Sequence, residues 1–331
     1  MSVVILDGGF STQLSVHVGE KVDGHPLWTA RFLATNPTAV FQTHLDFLRA
    51  GADVIITNTY QASIDGFVQH LGLTKVESFD LITKAVDLAK QALEVYLEEI
   101  KDREVSNKKP LIAGSCGPYG ASLHNGSEYT GEYASNISKE FLKKWHRPRI
   151  QTLINSGVDL LALETIPCRI EAEALVELIR EFPDIKAWLS FSCKTDGKSI
   201  VDGSDFRSVA SSCYNNSVSN QLVAVGINCL APTAVTPLIK GIQNDDKFIP
   251  LIVYPNSGEI YTVSDGWKKI GTEPPLETFI DEWLDLGVRY VGGCCRTYAL
   301  DISKIIIQVK KWQKKKHSLV ALSDSEKQLN T

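Results

Sequence analysis

Eight short apolar runs punctuate this 331-residue chain, and each leads through a turn into a longer stretch with helical periodicity. They are VVIL (3–6), VIIT (54–57), LIAGS (111–115), LLAL (160–163), AWLSFS (187–192), LVAVGI (222–227), FIPLIV (248–253) and RYVGG (289–293). The periodicity predicts helices over Pro37–Ala50, Lys75–Ile100, Ser138–Asn155, Arg169–Glu181, Asp205–Asn215, Pro232–Ile242, Leu276–Leu286 and Asp301–Gln313. Runs that are apolar on both faces and alternate with helices make a parallel sheet covered by helices. Eight such units predict an α/β chain closed into a single-domain (β/α)8 TIM barrel, ahead of a doubly wound open sheet. The joints RAGADVI, NSGVDLL and DLGVRYV repeat one pattern: a helix end, a glycine, then the start of a strand. Gly51, Gly157 and Gly287 therefore suit a left-handed position just past a helix.

Composition narrows the chemistry. With 44% hydrophobic and 22% charged residues, the chain can bury a large core. No low-complexity linker divides it, so residues 1–313 are expected to form the barrel and 314–331 a flexible C-terminal tail. A net charge of −5 offers no broad positive field, and nucleic acid is not an expected partner. The run Lys310, Lys311, Lys314, Lys315 and Lys316 reads as a solvated helix end more than as a patch for an acidic partner. The opening MSVVILDGGF has no basic lead, and its apolar run stops at Leu6, too short for an export signal or a membrane anchor. Seven cysteines, an odd number with no secretory signal, argue for reduced thiols and a cytoplasmic location.

A barrel presents its chemistry where its strands end. Cys229 follows the sixth run, while Cys294 and Cys295 close the eighth, so all three should reach one rim. Three thiolates with a fourth position open is the ligand count of a catalytic zinc site. Gly292 and Gly293 allow the strand to unwind, so that two adjacent side chains can face one ion. A single free cysteine is more often core filler, and Cys116, Cys168, Cys193 and Cys213 are assigned there. Spacing alone leaves a zinc trio and three unrelated cysteines evenly matched. Glu164, at the end of the fully apolar fourth run, is positioned to hold an ammonium group. Asp7-Gly8-Gly9-Phe10 reads either as a backbone nest for a carboxylate or as an ordinary turn. Together these features describe a site for an amino acid that carries sulfur.

Through LDGGFSTQL, PLWTARFL, GADVIITNTYQASIDGF, AGSCGPYGA, GSEYTGEY, HRPRI, GVDLLALETIP, GINCLAP, VYPNSGE and VGGCCRT, the chain resembles the homocysteine S-methyltransferase family over about residues 3–312. GPYGA, HRPR and YPNSGE are most similar to the branch that uses S-methylmethionine or S-adenosylmethionine, not betaine. The resemblance implies a Zn2+ enzyme that makes methionine by moving a methyl group from such a donor to a zinc-bound homocysteine thiolate. It implies Cys229, Cys294 and Cys295 as zinc ligands, Glu164 as holder of the homocysteine amine, and Gly8, Gly9 and Phe10 as the loop around its carboxylate. Asp7 and Asn228 fall in the same motifs, and Trp28 and Tyr60 match aromatic positions on the donor side. In betaine-using members, a tyrosine after the glutamate occupies zinc's fourth position when substrate is absent. This chain has Thr165 there, which leaves that position to water or to another side chain. Three rivals stand beside this reading: a selenocysteine or other thiol methyltransferase of the same family, a noncatalytic zinc- or thiol-binding barrel, and a barrel enzyme for a phosphorylated metabolite. The last is disfavoured because the loops after the seventh and eighth runs lack a glycine-rich phosphate cradle.

Overall fold

The computed structural model describes residues 2–19, 22–102, 108–218, 220–243, 248–262, 266–268 and 274–329. Each apolar run becomes a strand: β1 (Val4–Ile5), β2 (Val54–Ile56), β3 (Leu111–Cys116), β4 (Leu160–Ile166), β5 (Lys186–Phe191), β6 (Leu222–Asn228) and β7 (Leu251–Tyr254). A small antiparallel pair, β8 (Ile260–Thr262) and β9 (Gly266–Lys268), precedes the last barrel strand, β10 (Val288–Val291). The eight-stranded sheet runs β1-β10-β7-β6-β5-β4-β3-β2, and all of its pairings are parallel. A parallel bridge from Leu6 to Val54 joins its two edges, helped by the Asp7 N–H donating to the Val54 carbonyl at 3.1 Å. The expected (β/α)8 barrel is what forms.

Residues pointing into the barrel form a layered core of Leu6, Val54, Ala113, Leu160, Ala162, Trp188, Ala224, Ile252 and Tyr254. Small side chains on β3, β4 and β6 make room for the Trp188 indole, which donates to the Tyr254 hydroxyl at 3.0 Å. The outward faces pack under helices, two of which begin and end where the sequence expects. Pro37–Ala50 and Lys75–Ile100 match to the residue, and Gly51, Gly157 and Gly287 all adopt positive φ past helix ends. Thr74 and Glu77 close a capping box at the start of the longer helix.

Several boundaries differ for identifiable reasons. β7 starts at Leu251, not Phe248, because Pro250 has no N–H for the ladder. The helix expected over Pro232–Ile242 shrinks to a 3-10 turn, Pro232–Ala234, and a short helix, Val235–Ile239. Pro237 lies inside that short helix, and Gly241 follows it at φ +80°. The segment Leu276–Leu286 opens as a 3-10 turn to Phe279 and continues as a helix only to Asp285. The last helix spans Ala299–Leu329, so no break in secondary structure occurs at residue 313. Its Lys316 reaches Asp285 at 2.8 Å, and residues 330–331 of the expected tail lie outside the described residues. The sequence reading also missed the helix Ile64–Leu71 and the β8–β9 pair. Among the described residues, no helix is long and apolar enough to cross a membrane.

Candidate active site

Barrel closure brings Cys229, Cys294 and Cys295 together, with their three sulfurs all within 4.8 Å of one another. Cys229 Sγ and Cys295 Sγ are 3.7 Å apart. The backbone bends hard to achieve this. Cys229, just past β6, holds φ at +56°, a conformation that costs a non-glycine residue energy and collects at functional sites. Gly292 and Gly293 leave the β10 ladder, as the sequence reading requires, and the Cys294 N–H turns to the Pro255 carbonyl at 2.7 Å. Thr297 fastens the resulting turn: its hydroxyl donates to the Cys294 carbonyl at 2.6 Å. Hydrogen bonds from Cys294 and then Cys295 lower the Cys229 thiol well below its usual pKa, and the same contacts raise both partners. Three soft sulfur donors this close together could hold a metal ion.

Asp7-Gly8-Gly9-Phe10 lies against this turn. A Cβ on Gly9 would stand 2.3 Å from the Cys294 carbonyl oxygen, so no other residue permits the approach. The Gly9 N–H is taken, donating to both the carbonyl and the hydroxyl of Thr297 at 3.0 Å. This narrows the expected nest, because Gly9 has no free N–H to offer a carboxylate. Asp7 is buried, with Oδ2 accepting from the Ile56 N–H at 2.7 Å and Oδ1 without a partner. Burial pushes its pKa well above the carboxylate range, and the nearby charge of Glu164 adds to the effect.

Glu164, on β4, is 7% exposed. One carboxylate oxygen accepts from the Ser115 hydroxyl and the other from the Tyr254 hydroxyl at 3.1 Å. Two hydroxyl donors do not offset burial, and the pKa is pushed up to about 7. A positive ligand would relieve it. The Asn228 side chain is tied into the frame. It accepts from the Thr165 N–H and the Ser190 hydroxyl, each at 2.9 Å, and donates to the Thr165 hydroxyl at 2.7 Å. That bracing holds Thr165, beside Glu164, at φ +60°.

Tyr60 directs a buried hydroxyl into this region, and burial raises its pKa well above the usual range, with the charge of Glu128 adding to the effect. Trp28 is partly buried against the core, on a 3-10 turn tied to the end of β2 by Thr29 and Asn58. The HRPRI segment also gains a purpose. Arg149 donates to the carbonyls of Tyr60 and Gly117, at 3.1 and 2.5 Å, and so fixes the loops after β2 and β3. The sequence reading missed Ser115, Tyr254, Thr297, Glu128 and Tyr129. The last two lie in GSEYTGEY, and Tyr129 Oη is 3.5 Å from Cys229 Sγ. Only the glycines bracketing that segment hinted at a loop shaped to reach inward.

The family model described as homocysteine S-methyltransferase matches residues 4–309. The chain belongs to the homocysteine S-methyltransferase family. A Drosophila melanogaster relative named betaine-homocysteine S-methyltransferase is 52% identical over 312 residues, covering 92% of this chain and 93% of the relative. Arabidopsis thaliana homocysteine S-methyltransferase 3 is 41% identical over 308 residues, covering 88% and 86%. The metallated crystal structure of the Escherichia coli homocysteine methyltransferase MmuM aligns with a TM-score of 0.79 at 38% identity, over 92% of this chain and 96% of that one.

Proposed function

We propose that this family member is a zinc-dependent homocysteine S-methyltransferase that makes methionine using S-methylmethionine or S-adenosylmethionine. The observation that carries the reading is the sulfur trio beside a buried glutamate that is short of hydrogen-bond donors. Zinc held by Cys229, Cys294 and Cys295 would supply the charge that keeps a substrate thiol deprotonated at neutral pH, where a free thiol is mostly protonated.

The remaining work falls to the chain's own residues. Glu164, with Asp7 beside it, grips the homocysteine ammonium, whose charge draws both carboxyls into their ionised form. The Gly8–Phe10 loop flanks the substrate carboxylate. On the donor side, Trp28 and Tyr60 steady the sulfonium by cation–π contact worth about 0.5–2 kcal/mol. The methyl group passes from the donor sulfur to the homocysteine sulfur, and the donor departs as a neutral thioether. No side chain has to move a proton in that step, so alignment of the two sulfurs carries most of the rate. The seven free thiols suit a reducing cytoplasm.

The test combines metal analysis with methionine formation for Cys229→Ala, Cys294→Ala and Cys295→Ala. Each should lose stoichiometric zinc and activity, and retention of both in all three would end the reading. Offering S-methylmethionine, S-adenosylmethionine and betaine together settles the donor. Consumption of betaine alone would overturn the donor assignment and align the chain with the fly relative's name.

A further inference from the structure

The proposed reaction joins two α-amino acids, because S-methylmethionine and S-adenosylmethionine each carry an α-ammonium of their own. Glu164, with Asp7 beside it, is given above to the ammonium of homocysteine. The rim holds a further carboxylate short of donors. Glu128 Oε2 is buried and has no hydrogen-bond partner among the described residues. Burial pushes the Glu128 pKa up, and the charge of Cys229 adds to the effect. A carboxylate oxygen buried without a donor is costly, and beside an active site it points to a ligand that brings the donor with it.

We propose that Glu128 holds the α-ammonium of the methyl donor and so selects sulfonium donors that are themselves amino acids. The assignment rests on the function proposed above. Its place in the rim sets it apart from the acceptor pair. The next residue, Tyr129, brings its hydroxyl to 3.5 Å from Cys229 Sγ, so the loop that carries Glu128 reaches the sulfur trio. After burial, the charge that most raises the Tyr60 pKa is that of Glu128, ahead of Cys229 and Glu164. For Asp7, the corresponding charge is that of Glu164. Asp7 thus goes with Glu164, and Glu128 goes with Tyr60 on the donor side. The loop is held in place from both ends. Ser127–Tyr129 forms a 3-10 turn between Gly126 and Gly131, both at positive φ, closed by hydrogen bonds from Tyr129 N to Gly126 O and from Gly131 N to Ser127 O. Gly120 lets the loop after β3 come against it, since a Cβ there would stand 2.8 Å from the Glu128 N. A carboxylate fixed in this way loses little freedom when it grips an amine. Betaine offers it nothing: a fully methylated nitrogen has no N–H, and Oε2 would stay unsatisfied.

Methyl transfer to homocysteine is measured for the zinc-loaded protein with S-methylmethionine and with dimethylsulfoniobutyrate, the same sulfonium with hydrogen in place of its amine. Wild type should favour S-methylmethionine by about 30-fold in kcat/KM. Glu128→Gln should erase most of that margin by raising the S-methylmethionine KM. Bound zinc, the homocysteine KM and turnover of the amine-free donor should change by less than about two-fold. Glu128→Asp, which keeps the charge, should retain more of the margin than Glu128→Gln. A wild type that uses both donors equally, a Glu128→Gln loss equal for both, or a loss that falls on the homocysteine KM overturns the assignment of Glu128 and leaves the reaction standing. Methyl transfer from betaine alone overturns both.

Discussion

Glu164 and Glu171 are both buried glutamates near the C-terminal end of β4, and their surroundings differ sharply. Glu171 collects the Tyr119 N–H and His146 Nε2, each at 2.7 Å, together with the Tyr133 hydroxyl. Burial lowers the His146 pKa, and its Nδ1 accepts from Arg149 at 3.1 Å. The Glu171 carboxylate itself is fully supplied with donors from its own chain. Glu164 has two hydroxyls and a rising pKa. A carboxylate saturated by its own chain is framework, whereas one left short of donors in the same protein waits for a ligand.

Substitutions can break that contrast. Glu171→Ala should have the largest effect, a stability loss of about 3–5 kcal/mol, since it strands several buried donors at once. Thermal or denaturant unfolding measures it, and homocysteine affinity of the folded fraction should barely change. Glu164→Gln should act with the opposite sign. Because its folded pKa lies above that of an exposed glutamate, about 4.5, the metal-free protein loses stability as pH rises from about 4.5 through about 7. The substitution removes that fall, worth up to about 3 kcal/mol above pH 7, and unfolding midpoints at pH 5 and 8 show it. The same variant should weaken homocysteine binding by about 2 kcal/mol while zinc content stays whole. An unchanged KM would take Glu164 out of the substrate site. The smallest effect sharpens the comparison: a thiol-free amino acid such as 2-aminobutyrate should inhibit better as pH rises toward 7, by at most about ten-fold per unit. Glu164→Gln should flatten that profile, and Glu171→Gln should not.

Much of this was legible in advance. The eight runs, the glycine joints and the two long helices follow from local periodicity and turn chemistry, and they told which residues would end each strand. That sufficed to bring Cys229 to Cys294 and Cys295 across the barrel, and to put Glu164 on the same rim. The bracing by Asn228 was not legible, because a residue at a strand end can serve the frame as well as a ligand, and only the partners of its amide show the first. The partner of the Gly9 N–H was hidden in the same way, since it is a threonine from the far end of the chain.

By itself, then, the sequence determined the barrel and the rim on which chemistry would gather, because strand period, helix period and glycine turns act over a few residues. Tertiary structure alone decided the pairings within the rim: Tyr129 on Cys229, Tyr254 on Glu164, Thr297 on Gly9. Those contacts join residues 100, 90 and 288 positions apart. No local rule reaches so far; they exist only once the sheet has closed and each loop has found the one conformation its packing allows.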